Sequence, residues 1–316
     1  MTDVNARSIE TPEPTSGLSR RGLLAAAGAT AFATGAAVLG SSTIAEASDG
    51  KHKGGIPVIT IDASVEGGMT VPATVPAGIV TFKITGLDDT NHAVQGFSLK
   101  RGATVEDVLH DLDLALLGEP PDRALGHQLL MQHATLFGGA LTFPNVPIYC
   151  TVALTAGTYY FLDIDDIGTR PVRVKTFKAV GHFKFHKLPR VDGVIKTRME
   201  NDEPRFITPT ALKAKGTYLF INTHHEIHEV VFRRTRPEVT DEYITAFYDA
   251  VLSGGPRPES PWLDLQHGLQ AMSPWQWAIF SYDLPPGSYS EICYVPSDEI
   301  GIPHAYQGMH QQVTLA

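Results

Sequence analysis

The chain is short of several things, and each shortage closes off a class of explanation. Two cysteines in 316 residues, Cys150 and Cys293, cannot make a disulfide scaffold. Beyond residue 39 no apolar run approaches the roughly 20 residues that cross a bilayer as a helix. Basic residues are the minority, 25 Lys and Arg against 34 Asp and Glu, and no basic stripe offers a face to nucleic acid or anionic lipid. Enzyme signatures are also missing. There is no GxSxG elbow, no P-loop, no GxGxxG opening a helix after a strand, and no His-x-His pair. Nothing in the pattern arranges two acids as a hydrolytic pair, so no enzyme reading has positive support.

What is present begins at the N-terminal end. Polar residues 1–18 lead into Ser19-Arg20-Arg21-Gly22-Leu23-Leu24, then an alanine-rich apolar run to about Leu39. Ala45-Glu46-Ala47 follows with the small-x-small pattern of a signal-peptidase site. This predicts a twin-arginine export signal over residues 1–47, a route that accepts folded cargo, and a secreted, periplasmic or envelope location. A membrane anchor fits less well, because no basic stop-transfer cluster follows the run. The remaining 269 residues carry a net charge of about −8, enough chain for one large domain or two ordinary ones.

Short β-branched and aromatic runs punctuated by Gly and Pro predict strands over 56–61, 79–85, 148–154, 159–164, 218–222, 277–282 and 290–295. Helices are predicted over Val105–Leu117 and Asp241–Leu252, with Thr104 and Thr240 as N-caps and acids in each first turn. These two helices read as copies. His92 stands 12 residues before Thr104, and His228 stands 12 before Thr240. Each helix ends 14 residues past its cap in a Gly- and Pro-rich turn, Gly118-Glu119-Pro120-Pro121 or Gly254-Gly255-Pro256. The offset of 136 falls to 130 where Leu154–Tyr159 matches Leu284–Tyr289. Two matching blocks in the same order imply a tandem duplication. The expected architecture is all-β: residues 48–190 and 191–316 as two β-sandwiches, each with one inserted helix.

The halves diverge in their last strands. The second offers His228 upstream, then Cys293, His304 and Met309 close together. Two imidazoles, a thiolate and a thioether are the soft and borderline donors that suit copper. Here Asn222-x5-His228-Glu229, Gly287-x-Tyr289-x3-Cys293 and Pro303-His304-x4-Met309 resemble the cupredoxins, blue-copper-type bacterial proteins. The resemblance covers most of each half and implies two Greek-key sandwiches in tandem. It also implies one copper per chain, held by His228, Cys293, His304 and Met309, with electron transfer or copper handling as the function. A redox protein or copper donor would be the partner. Ten residues separate Cys293 from His304, a longer loop than compact electron-transfer cupredoxins use. The first half keeps His92 but has Asp163 where the second has Cys293, and Gly168-Thr169-Arg170-Pro171-Val172 offers neither His nor Met. That half is expected to be copper-free.

Plainer readings stand beside this one. Cys293 could be a buried small hydrophobe or pair with Cys150. His224, His225, Glu226 and His228 invite a zinc reading, without HExxH spacing. His182 and His186 fit a half-exposed strand, and His110, His127, His133 and His267 fit surface or helix-packing positions. Trp262, Trp275 and Trp277 fit core and inter-domain contacts. The rival function is a metal-free sandwich pair serving as a binding or structural module of the envelope.

Overall fold

The computed structural model describes residues 55–201 and 203–316; the expected export signal lies outside them. The chain is built from strands. The first half contributes β1 (Val58–Ser64), β2 (Gly68–Thr70), β3 (Thr74–Gly86), β4 (His92–Leu99), β5 (Ala134–Thr142), β6 (Ile148–Leu154), β7 (Gly157–Asp163) and β8 (Lys175–Lys184). The second contributes β9 (Gly193–Glu200), β10 (Glu203–Ile207), β11 (Lys215–Ile221), β12 (His228–Thr235), β13 (Trp262–Met272), β14 (Trp277–Asp283), β15 (Gly287–Ile292) and β16 (His310–Leu315). Six of the seven strand segments expected from the sequence fall largely within these, and the seventh, 290–295, overlaps β15 only as far as Ile292. Four of the strands that were not expected, β4, β5, β12 and β13, are buried along much of their length and so lack the alternation that marks a half-exposed strand.

The pairing pattern is written twice. In the first half β1 lies parallel to β3, β3 antiparallel to β6, and β4 antiparallel to both β5 and β7, with β7 antiparallel to β8. In the second half β9 lies parallel to β11, β11 antiparallel to β14, and β12 antiparallel to both β13 and β15, with β15 antiparallel to β16. Even a fine detail recurs. Gly139 (φ 143°) and Gly268 (φ 144°) each sit where a side chain would strike a carbonyl, that of Val94 or Val230, one strand across. Only glycine permits so close an approach.

The halves join strand to matching strand. β5 pairs antiparallel with β13 (Leu141 opposite Gly268), and β6 with β14 (Cys150 opposite Phe280), the arrangement of a pseudo-two-fold axis. One hydrogen-bonded sheet therefore runs through both halves. The shared core beneath it includes Phe82, Cys150, Phe161, Phe232, Phe280 and Tyr289, all at most 1 % exposed.

Among the described residues three helices cover the outside, one more than the sequence pattern suggests. Helix α1 (Val105–Leu117) has a capping box in which Thr104 and Asp107 satisfy each other's backbone N–H. Helix α3 (Asp241–Ser253) is capped by Thr240 and stops at Gly254 in the left-handed region. Between them lies α2 (Pro120–His133), where the sequence suggests only a turn. The expectation of one inserted helix per half is therefore corrected for the first half. Pro120-Pro121 reads as a stop, yet the first turn of a helix is where a missing N–H costs nothing and a fixed φ helps. The weak apolar stripe of α2 supplied no competing signal.

Candidate metal centre

Three of the four candidate ligands converge. His228 opens β12, Cys293 follows the last residue of β15, and His304 begins a single 3-10 turn beyond the long loop. Their donor atoms lie within 4.8 Å of one another, and all three side chains are fully buried. Nδ1 of His228 and Nδ1 of His304 each stand 3.5 Å from Cys293 Sγ. Met309, also fully buried, is tied to the group through its backbone. Its N–H donates to the His304 carbonyl at 2.9 Å, and its own carbonyl accepts from Cys293 N–H at 3.2 Å. Both cysteines are free thiols, so the alternative pairing of Cys150 with Cys293 is not formed.

The ring orientations are fixed from behind. Glu226 N–H donates to His224 Nδ1 at 3.2 Å, so that nitrogen carries a lone pair. His228 Nε2, 2.8 Å from the same atom, must then be the donor, which leaves His228 Nδ1 bare toward the sulfur. His304 Nε2 donates to Glu226 Oε2 at 3.0 Å, the tautomer that puts the lone pair of a neutral ring on Nδ1. Glu226 is held ionised: burial raises its pKa, but the hydrogen bonds from His304 and the Asp298 N–H bring it well below the usual carboxylate range. Burial, with His304 and His224 nearby, pushes His228 well below the ordinary imidazole value. Burial and the nearby Glu229 carboxylate push the Cys293 thiol well above its own.

Two bare imidazole nitrogens thus face one sulfur, and a thiol proton can satisfy only one of them. A soft cation bound among them would use both lone pairs and hold the thiolate that burial otherwise opposes. The donor set and its backing fit copper. His224 and Glu226 stand behind His228 and His304, as hydrogen-bond partners.

The roles of several supporting residues were not legible in the sequence, although Asn222 and Glu229 stand in a motif read there. Asn222 accepts from Thr197 Oγ1 at 2.8 Å and donates to the carbonyls of Glu226 and Met272, which fixes the turn before His228. Glu229 accepts the Tyr294 N–H at 3.0 Å, next to Cys293. His127, placed by its sequence on a surface or in helix packing, is 1 % exposed and reaches from α2 onto the ligand loops. Burial holds its imidazole down at about 4, so the ring is neutral. His267 is buried against Phe143 on β13, while Trp275, expected in a core or interface, is 70 % exposed in the turn before β14.

No protein-family model matches the chain, and no curated protein matches it. Among solved structures it is similar to auracyanin from Roseiflexus castenholzii, with 18 % identity over 39 % of this chain and 95 % of that one, at a TM-score of 0.23. Auracyanin A, a blue copper protein from Chloroflexus aurantiacus, gives 17 % identity over 39 % and 96 %, with a TM-score of 0.24. The multicopper oxidase McoA from Aquifex aeolicus gives 10 % identity over 83 % of this chain and 66 % of that one, at 0.23. These likenesses are faint. The strand pairing and the geometry of the centre stand on their own.

Proposed function

We propose that this chain is an exported, cupredoxin-like copper protein whose second half, residues 191–316, binds one copper ion through His228 Nδ1, Cys293 Sγ, His304 Nδ1 and the thioether of Met309. The observation that carries the reading is the pair of imidazole Nδ1 atoms aimed at a single buried sulfur, each ring fixed by a hydrogen bond from behind. Copper so bound supplies one-electron chemistry between Cu(I) and Cu(II). The protein's own part is to fix the donors and exclude water, so that little must reorganise when the charge changes. Electron transfer to or from a redox protein follows from that rigidity. The residues 48–190 form the partner sandwich, without copper ligands. Export through the twin-arginine signal suits a cofactor loaded before crossing.

The test is direct. Purified protein loaded with copper should hold one equivalent per chain by elemental analysis and show an intense visible band from Cys-to-copper charge transfer. Cys293→Ser should abolish that band. A colourless protein that retains no metal would favour the metal-free envelope module. Export is tested separately: Arg20→Lys together with Arg21→Lys should leave the precursor in the cytoplasm, since a receptor reads the pair.

A further inference from the structure

Helix α2 has no counterpart in the second half, where Gly254 to Pro261 joins α3 to β13 without a helix. One face of α2 lies on the ligand loops of the other half. His127 is at its centre. Nδ1–H of His127 donates to the Pro296 carbonyl at 2.5 Å, and Nε2 accepts the Ile227 N–H at 3.2 Å. Ile227 immediately precedes His228, and Pro296 lies in the loop from Cys293 to His304. The same ring meets His304 edge to face, with centroids 6.4 Å apart.

Neighbours on that face reinforce the contact. Gln128 Nε2 donates to the Asp298 carbonyl at 2.5 Å. Gly301, in the left-handed region at φ 66°, packs so closely on Pro120 and Ala124 that any side chain there would strike the Pro120 carbonyl. Residues 120, 124, 127 and 128 share one helical face. The long loop is itself closed by Ser297 N–H to Ile302 O and His304 N–H to Val295 O, each 2.9 Å. It is therefore a docked flap, and α2 is what it docks on.

We propose that His127 is a positioning residue for the metal centre: its two ring nitrogens peg the loop carrying His228 to the loop carrying His304, across the junction between the halves. The inference rests on the copper reading for its consequence, though the peg itself exists without metal. It also gives the copper-free half a task, since the helix that holds the second half's ligands belongs to the first.

The experiment compares His127→Ala with His127→Gln. Alanine leaves Ile227 N–H and Pro296 C=O without their partner. Glutamine can restore both bonds, its carbonyl accepting and its amide donating. With circular dichroism showing both variants folded, His127→Ala should lose roughly 10- to 100-fold in copper affinity and alter the visible spectrum, as outer-shell changes do. His127→Gln should recover most of each. In the metal-free protein, hydrogen exchange at the Ile227 amide should accelerate in the alanine variant and stay slow in the glutamine variant. Wild-type affinity and spectrum in folded His127→Ala would overturn the proposal. Should the wild type bind no copper, the function proposed above fails, and the Ile227 exchange then decides the peg by itself. Should the alanine variant not fold, nitrogen-15 NMR of the wild type decides: an Nδ1-protonated His127 supports the peg, and an Nε2-protonated one overturns it.

Discussion

The two halves place the same backbone around two different chemistries. His92 and His228 each open the equivalent strand, and each has a hydrogen-bond partner on Nε2 four residues earlier, Asp88 or His224, at 2.8 Å. Each faces a third group with Nδ1. Asp163 Oδ2 lies 2.6 Å from His92, and Cys293 Sγ lies 3.5 Å from His228. Asp163 stands opposite Val94 on β4, and one step along the corresponding β12–β15 register brings Cys293 opposite Val230. Position is shared, and charge is not. Burial lowers the pKa of His92, but hydrogen bonds to Asp163 and Asp88 outweigh it and raise the value above the ordinary one. His92 is thus an imidazolium between two carboxylates. In the second half the flanking groups are a thiol and a neutral imidazole, so His228 stays neutral and its lone pair remains free. One half holds a proton where the other, on the function proposed above, would hold a metal. A buried cationic centre can be met by either, and two residue changes, Asp88 against His224 and Asp163 against Cys293, choose between them.

The two halves should respond differently when each histidine is removed in turn. His228→Ala should lose the copper, read by elemental analysis. His92→Ala should keep it, yet cost about 3 kcal/mol in urea unfolding, because the buried Asp163 is left without its counter-charge. Equal copper loss from both would mean that the halves share a site.

A smaller effect separates the halves by pH. The raised pKa of His92 means its contribution is complete below the unfolded imidazole value of 6.5 and is lost as pH rises through the folded value. Asp88 is buried enough to oppose ionisation, but the Val65 N–H, Thr90 and His92 depress its pKa. Its contribution is present above the unfolded value of 3.8 and is lost as pH falls. Stability measured from pH 6 to about 9 should therefore decline in the wild type, and Asp88→Asn should flatten that decline. A variant with an unchanged slope would remove the imidazolium from the account.

The smallest effect lies in the helix caps. Thr104→Ala and Thr240→Ala should each cost about 1 kcal/mol by thermal unfolding. The first should cost more, since the Asp107 carboxylate also loses the hydrogen bond it accepts from Thr104 Oγ1. Equal losses would show that the capping box adds nothing to α1.

Much of this was legible before the structure. The cap at Thr240, the strand at Ile148–Leu154 and the donor set of His228, Cys293 and His304 are each carried by residues near in sequence or by residue type alone. Helix α2 was not, because its two prolines carry the same letters whether a helix is ending or beginning. The backing roles of His224 and Glu226 were hidden for another reason. Clustered histidines and acids look like ligands until the ring nitrogens have directions.

By itself, then, the sequence determined the strand-rich architecture, the two capped helices and the inventory of soft donors, since periodicity, turn chemistry and capping act within a few residues. Tertiary structure decided what the donors face. Ile227 bonds to His127 across 100 residues, and Glu226 to His304 across 78. No local preference encodes such pairs. They arise because matching strands of the two halves join antiparallel, β5 to β13 and β6 to β14, and that junction lays one half's extra helix over the other's ligand loops.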